Sequence, residues 1–286
     1  FDMGVAILLP LVGKTETDRR VILNTIGPVW EGNQVWLILG AGAIFAAWPF
    51  VYAVAFSGFY MAMFLILWAL ILRPVGFKFR SKLPHQHWRQ LWDVCLCISG
   101  YVPSFVFGVA VGNVLIGVPF YFDDSLRCFY TGSFLDLLSP FPLLCGVLSV
   151  VMFLQHEALY LAIKTQSKIS KRALRVLPIT TLIWLICLSV GGLYITAQLS
   201  GFQMLPGYLR SGSSNPLAKE VLIEVGAWSK NYTTCPGLML VPIMSYVTLL
   251  LTGYLSFISR LKAAFVTNGI SIISAIITVG ISMFPF

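Results

Sequence analysis

With 286 residues, 58% of them hydrophobic and only 10% charged, the chain has a mean hydropathy of +0.85 and too few polar side chains to cover a water-facing surface. These proportions exclude a soluble globular domain, a disordered chain and a disulfide-rich secreted module. The net charge of +8 does not indicate a nucleic-acid partner in such a chain, because topology explains it.

In chain order, Phe1 to Val12 is apolar but too short to span a bilayer, and it reads as the tail of a first helix. The uncharged run from Gly32 to Leu72 is about two crossings long at ~1.5 Å per residue, with Pro49 in its middle, and predicts a helical hairpin turning near Trp48 to Tyr52. Further runs free of Asp, Glu, Lys, Arg and His cover 94–122, 137–155, 176–209, 231–259 and 263–286. Runs of this length are helical, since barrel strands need only about ten alternating residues. The expectation is an all-α membrane protein, a multi-helix transmembrane bundle forming one integral membrane domain over 1–286. Its helices should lie near 1–12, 29–48, 53–72, 92–117, 134–163, 175–199, 236–258 and 263–284. Residues 201–235 form the one long polar insertion.

The 19 Lys and Arg residues divide unevenly over alternate loops. Lys14, Arg19, Arg20, Arg73, Lys78, Arg80, Lys82, Arg89, Lys164, Lys168, Lys171, Arg172, Arg175, Arg260 and Lys262 fall on one side. Arg127, Arg210, Lys219 and Lys230 fall on the other. An excess of this kind marks the cytoplasmic face. Binding of anionic headgroups by the same clusters is compatible with it.

A charge in mid-bilayer is costly, so ionisable groups inside the runs are the candidates for chemistry. Glu31, in Trp30-Glu31-Gly32-Asn33-Gln34-Val35-Trp36, opens the second helix; it reads equally as a carboxylate favoured by the helix N-terminus or as a proton carrier. Asp2 lies about 16 Å deep on a helix running toward the basic side. Two acids at graded depth from one face are what a proton path requires. Asp136 follows Ser133 in a capping-box-like pattern and reads as structural. His156 and Glu157 form either a buried relay or a pair reaching toward the interface. His85 and His87 lie in a basic loop, so only one histidine is at membrane depth, a poor basis for several haems. Cys95 and Cys97 have no metal-binding partner motif, and Cys145 and Cys187 read as core. Cys128 and Cys235 both fall in outward loops, where an oxidising compartment would permit a disulfide.

Several blocks occur together in one order: Phe1-Asp2-Met3-Gly4, Asp18-Arg19-Arg20, Trp30 to Trp36, Phe45-Ala46-Ala47-Trp48-Pro49, Phe56-Ser57-Gly58-Phe59-Tyr60, Arg73-Pro74-Val75-Gly76-Phe77, Gly112-Asn113-Val114-Leu115, Tyr130-Thr131-Gly132-Ser133-Phe134, Ser214-Asn215-Pro216-Leu217 and Met283-Phe284-Pro285-Phe286. Over essentially its whole length the chain resembles subunit II of a bacterial cytochrome bd-type quinol oxidase, and Pro140 to Gly146 leans toward the bd-II branch.

The resemblance implies a complex that oxidises quinol and reduces dioxygen to water. Its two b-type haems and one d-type haem would be carried by subunit I, with none ligated by this chain. It also implies two four-helix bundles, here 1–117 and 134–284, with a further peripheral helix in the full family fold. Implied partners are subunit I, small accessory membrane subunits, quinol and a structural quinone, in the bacterial inner membrane. Glu31 matches a family position, often Asp, on a proton route from the cytoplasm, and Asp2 matches a nearby acid. Trp36 matches a tryptophan facing subunit I, and Trp30 and Asn33 belong to the same interface segment. His156-Glu157 departs from the family's more neutral residues. Two other readings remain open: a proton-coupled secondary transporter, with prolines breaking its helices, and a purely structural membrane subunit.

Overall fold

The structure, a computed structural model, describes residues 2–166, 168–204, 217 and 221–284. Phe1, Arg210, Ser214-Asn215-Pro216, Lys219 and Pro285-Phe286, named above, lie outside the described residues. The helices are α1 (Asp2–Val12), α2 (Glu16–Ile26), α3 (Trp30–Ala47), α4 (Pro49–Gly58), α5 (Tyr60–Phe79), α6 (Gln86–Ile116), α7 (Pro140–Lys164), α8 (Lys168–Leu174), α9 (Leu177–Ala197), α10 (Lys230–Thr234), α11 (Leu240–Phe257) and α12 (Leu261–Met283). Strands β1 (Phe120–Phe122) and β2 (Cys128–Tyr130) form one antiparallel hairpin, and β3 (Ser200–Met204) pairs antiparallel with β4 (Val221–Val225).

Among the described residues six helical segments are long and apolar enough to cross a membrane: Tyr60–Phe79, Gln86–Ile116, Pro140–Lys164, Lys168–Ala197, Pro236–Phe257 and Leu261–Met283. The chain is an all-α, multi-pass membrane protein with two small strand pairs at its loops.

Several boundaries differ from the sequence expectation. The helix expected over 53–72 is two helices, broken at Phe59, and α5 runs seven residues past Leu72 through Pro74 to Phe79. Charge misplaced that end: Arg73 is not in a loop but buried inside the bundle. Residues 14–28 contain a helix, α2, started by a capping box in which Thr15 Oγ1 accepts from the Asp18 N–H and Asp18 accepts from the Thr15 N–H. Helix α7 begins at Pro140, since 135–138 is a short 3₁₀ turn in which Asp136 accepts from the Ser133 N–H at 2.7 Å. That bond holds the Asp136 carboxyl below the usual carboxylate range. The six cysteines are free thiols, so Cys128 and Cys235 form no disulfide.

Helices α6 and α7 form the centre. Helix α1 packs against both, α5 against α6, and α9 and α12 against α7, with α11 paired along α12. The close approach at this centre has a sequence cause. Gly100, Ser104, Gly108 and Gly112 recur every fourth residue along α6 and are all buried. A Cβ on Gly100 would lie 2.3 Å from the Met3 carbonyl oxygen of α1, and one on Gly108 would lie 2.3 Å from the Cys145 carbonyl oxygen of α7. Ser149 Oγ of α7 donates to the Ser104 carbonyl at 2.7 Å in the same seam. In lipid, helices associate through such close contacts because expulsion of water contributes little.

Gly108→Leu should therefore prevent α6 from docking on α7 and sharply reduce the amount of folded protein recovered from membranes. Gly253→Leu, where an added Cβ meets nothing within 4 Å, should leave the yield near wild type.

Candidate functional site

Burial of two ion-paired arginines organises the chemistry of the first half. Arg73 on α5 is 1% exposed and pairs with Asp2 at the start of α1, itself 4% exposed. Its Nη2 also donates to the Ser99 carbonyl of α6 at 2.8 Å. Asn33 Nδ2 of α3 donates to Asp2 Oδ1 at 3.2 Å. One carboxylate and one guanidinium thus join four helices. A buried pair of this kind must satisfy its remaining polar atoms to offset desolvation, which the Ser99 and Asn33 bonds help to do.

A second cluster closes the basic end. Arg80, just past α5 and 2% exposed, donates Nε to Asp93 Oδ1 of α6 at 2.6 Å and both terminal nitrogens to Glu16 of α2 at 2.8 and 3.0 Å. Arg19 donates to Asp93 at 2.8 Å, and Arg172 of α8 donates to Asp18 at 2.9 Å and to the Val12 carbonyl at 2.5 Å. The hydrogen bonds from Arg80 hold Glu16 below the usual carboxylate range. Several arginines expected in solvated loops are instead structural ties.

The expected site residues are distributed around these clusters. Glu31 lies exposed in the first turn of α3. The N-cap of that helix is Val29, with no side-chain capping bond, so the Glu31 carboxyl is not spent on a cap. Trp30 is buried, its ring stacked on Phe77 of α5 at 5.1 Å, and Asn33 is engaged with Asp2. Both are therefore turned to their own chain. Trp36 is 72% exposed.

Helix α3 has an unusual setting. Trp30 is its only buried residue, and among the described helices α3 packs extensively only against α4. Gly32, Trp36 and Gly40 fall on one face at four-residue intervals, and a Cβ on either glycine would meet nothing within 4 Å.

His156 and Glu157 are not brought together. Glu157 is 1% exposed and faces α1, where a Cβ on Gly4 would lie 2.3 Å from its Cγ. His156 faces α12, its Nδ1 3.0 Å from Asn268 Nδ2 and its ring stacked on Phe265 at 4.2 Å. Gln155 Nε2 donates to Asn268 Oδ1 at 3.1 Å and accepts at Oε1 from Thr181 at 3.3 Å. The network runs Thr181, Gln155, Asn268, His156 and joins α9, α7 and α12. With the Asn268 oxygen taken by Gln155, its amide donates to His156 Nδ1 and fixes the ring as the Nε2–H tautomer.

Sequence reasoning missed Arg73, Asp93, Gln155 and Asn268. Arg73 and Asp93 flank uncharged runs, which gave a usable signal, whereas an Asn or Gln inside a run leaves none in a charge count. Among the described residues no group of three or more His, Cys, Asp or Glu is gathered as a metal site.

A lipid-length helical bundle with buried ion pairs and with Glu31 exposed at the foot of α3 defines a multi-pass membrane protein. Residues 1–286 match the family described as cytochrome bd terminal oxidase subunit II. The protein named probable cytochrome oxidase subunit 2 from Haemophilus influenzae is 46% identical over the whole of this chain, which spans 75% of it. Cytochrome bd-I ubiquinol oxidase subunit 2 from Escherichia coli K12 is 44% identical over the whole chain, which spans 76% of it. The bd oxidase structure from Geobacillus thermodenitrificans shares the fold, with a TM-score of 0.55 over 100% of this chain and 83% of the solved one at 11% identity. The chain belongs to the cytochrome bd terminal oxidase subunit II family, and so to an oxidase complex with a partner subunit.

That family implies haem in the complex. The one histidine at membrane depth among the described residues takes its Asn268 bond at Nδ1, which leaves the proton on Nε2, the nitrogen that would bind iron, and its ring is packed against Phe265.

Removing one member of the buried pair should be more damaging than removing both. Arg73→Gln removes the guanidinium paired with the buried Asp2 carboxylate, at a cost of about 3–5 kcal/mol. Asp2→Asn combined with Arg73→Gln should recover part of the loss, read as the thermal midpoint of the purified complex across a double-mutant cycle.

Proposed function

We propose that this chain is the non-haem subunit of a quinol:oxygen oxidoreductase in the bacterial inner membrane, and that it supplies a proton route from the cytoplasm to the oxygen-reducing partner subunit. The observation that carries this reading is the setting of α3. A helix with apolar side chains and open glycines on its outer faces gains from a close-packed neighbour, and its only acid, Glu31, sits at its foot.

The partner helix lies along the face formed by Gly32, Trp36 and Gly40, the glycines admitting backbone contact on either side of the indole. Glu31 then stands at the subunit boundary, where its carboxyl takes protons from water on the basic, cytoplasmic side and passes them inward. Asp2 belongs to the same route in a supporting part: held by Arg73, it fixes Asn33 and with it the foot of α3. Glu157, close behind Asp2 on α7, is a further acid of this region, whereas His156 belongs to the α12 side of the bundle.

Quinol oxidation releases protons on the outer side and water formation consumes them, so drawing the latter from the cytoplasm separates charge without a pump. The haems, two of b type and one of d type, carry the redox chemistry in subunit I. A structural quinone and small accessory subunits complete the complex. The two helix groups, 1–117 and 134–284, are the family's paired bundles.

Glu31→Gln should lower oxygen-reduction turnover of the purified complex by about tenfold or more while haem absorbance is retained. Undiminished turnover would remove the proton route and leave the purely structural reading. A transporter would instead keep its transport activity without subunit I.

Gly40→Leu and Trp36→Ala should each reduce copurification of the two subunits. Neither position contributes to the buried core of this chain, so its own membrane accumulation should persist.

A further inference from the structure

A cavity of about 360 Å³ opens at the basic end, lined by Glu16, Thr17, Arg20, Ser81 and Arg89. It belongs to neither the α3 face nor the buried pair at Asp2. Glu16 is already neutralised, since Arg80 bonds it twice and keeps it ionised. Arg89 reaches Glu16 only at 3.4 Å, and its buried Nε has no hydrogen-bond partner among the described residues. Arg20 is exposed, and its side chain makes no hydrogen bond or ion pair among them. Around the cavity four guanidinium groups, Arg19, Arg20, Arg80 and Arg89, face two carboxylates, Glu16 and Asp93. Two positive charges are in surplus, and the hydroxyls of Thr17 and Ser81 line the same space.

We infer that this cavity binds the phosphate of an anionic phospholipid headgroup. Guanidinium groups and hydroxyls are the donors that a phosphodiester oxygen accepts from. The depth fits a lipid: Ser81 lies two residues beyond the spanning helix α5, and Arg89 lies in the first turn of α6, at the level where headgroups sit. Apolar side chains for the acyl region adjoin the polar lining along the chain. Val21 follows Arg20 and is 40% exposed, and Phe79 and Leu83, two residues either side of Ser81, are each 48% exposed. A free phosphate would use the same donors but gain nothing from these three.

The test uses the purified two-subunit complex in phosphatidylcholine nanodiscs titrated with phosphatidylglycerol, with native mass spectrometry counting the retained anionic lipid. Arg20→Gln and Ser81→Asp break no ion pair of the described structure, and an unchanged thermal midpoint of the complex verifies their fold. Wild type should retain one more phosphatidylglycerol than either variant, and Arg20→Gln should bind it about fivefold more weakly. Millimolar inorganic phosphate should not displace it. Equal retention by wild type and both variants would overturn the inference. So would displacement by inorganic phosphate, which would make the cavity a soluble-anion site.

Discussion

The bundle depends on how closely α6 can be approached. Helices in lipid are not driven together by exclusion of water, so their association rests on dispersion contacts and on polar bonds across the interface. Small residues at every fourth position of α6 let the backbones of α1, at Gly100, and α7, at Gly108 and Gly112, come against it. Once those three helices are set, α5 and the α9, α11 and α12 group have surfaces to dock on. Asp2 and Arg73 also come within bonding distance only because α1 lies so near α6 and α5.

Charge inside the fold follows from that proximity. The Asp2–Arg73 pair and the Arg80–Asp93–Glu16 cluster tie α1, α2, α3, α5 and α6 at two depths. Each of these carboxylates is held by a guanidinium, and the pairs fix the helices to one another. Glu31 differs from all of them in being held by nothing of this sort. The contrast between fixed and open acids is what singles out the foot of α3. The second half uses neutral polar groups instead, with Gln155, Asn268 and paired hydroxyls such as those of Ser245 and Ser271 bonding between helices without any net charge.

Much of this was legible in the residues. The uncharged runs located the long helices because lipid tolerates few charges, and the break at Trp48–Pro49 fell where proline required it. The run of ordered motifs pointed to the family before any contact was known. The departures share a cause: charge in a sequence signals solvent, whereas here it also lies inside the fold. Arg73 and Arg80 therefore read as loop residues although both are buried, α5 extends past the first charge to Phe79, and α2 lies among charged positions with Thr15 and Asp18 as its cap. The spacing of Gly100, Ser104, Gly108 and Gly112 was in plain view, but its partners on α1 and α7 come from distant parts of the chain. That α3 would stand clear of its neighbours has no sequence signature, because an apolar helix looks the same whether its surroundings are lipid, its own chain or another.

The 71-residue separation of Asp2 from Arg73 also bears on how the protein is made. At bacterial elongation rates of about 5–20 residues per second, roughly 4 to 14 s pass between the emergence of the acid and that of its counter-ion from the ribosome. Over that interval the Asp2–Arg73 bond that ties α1 to α5 cannot yet form.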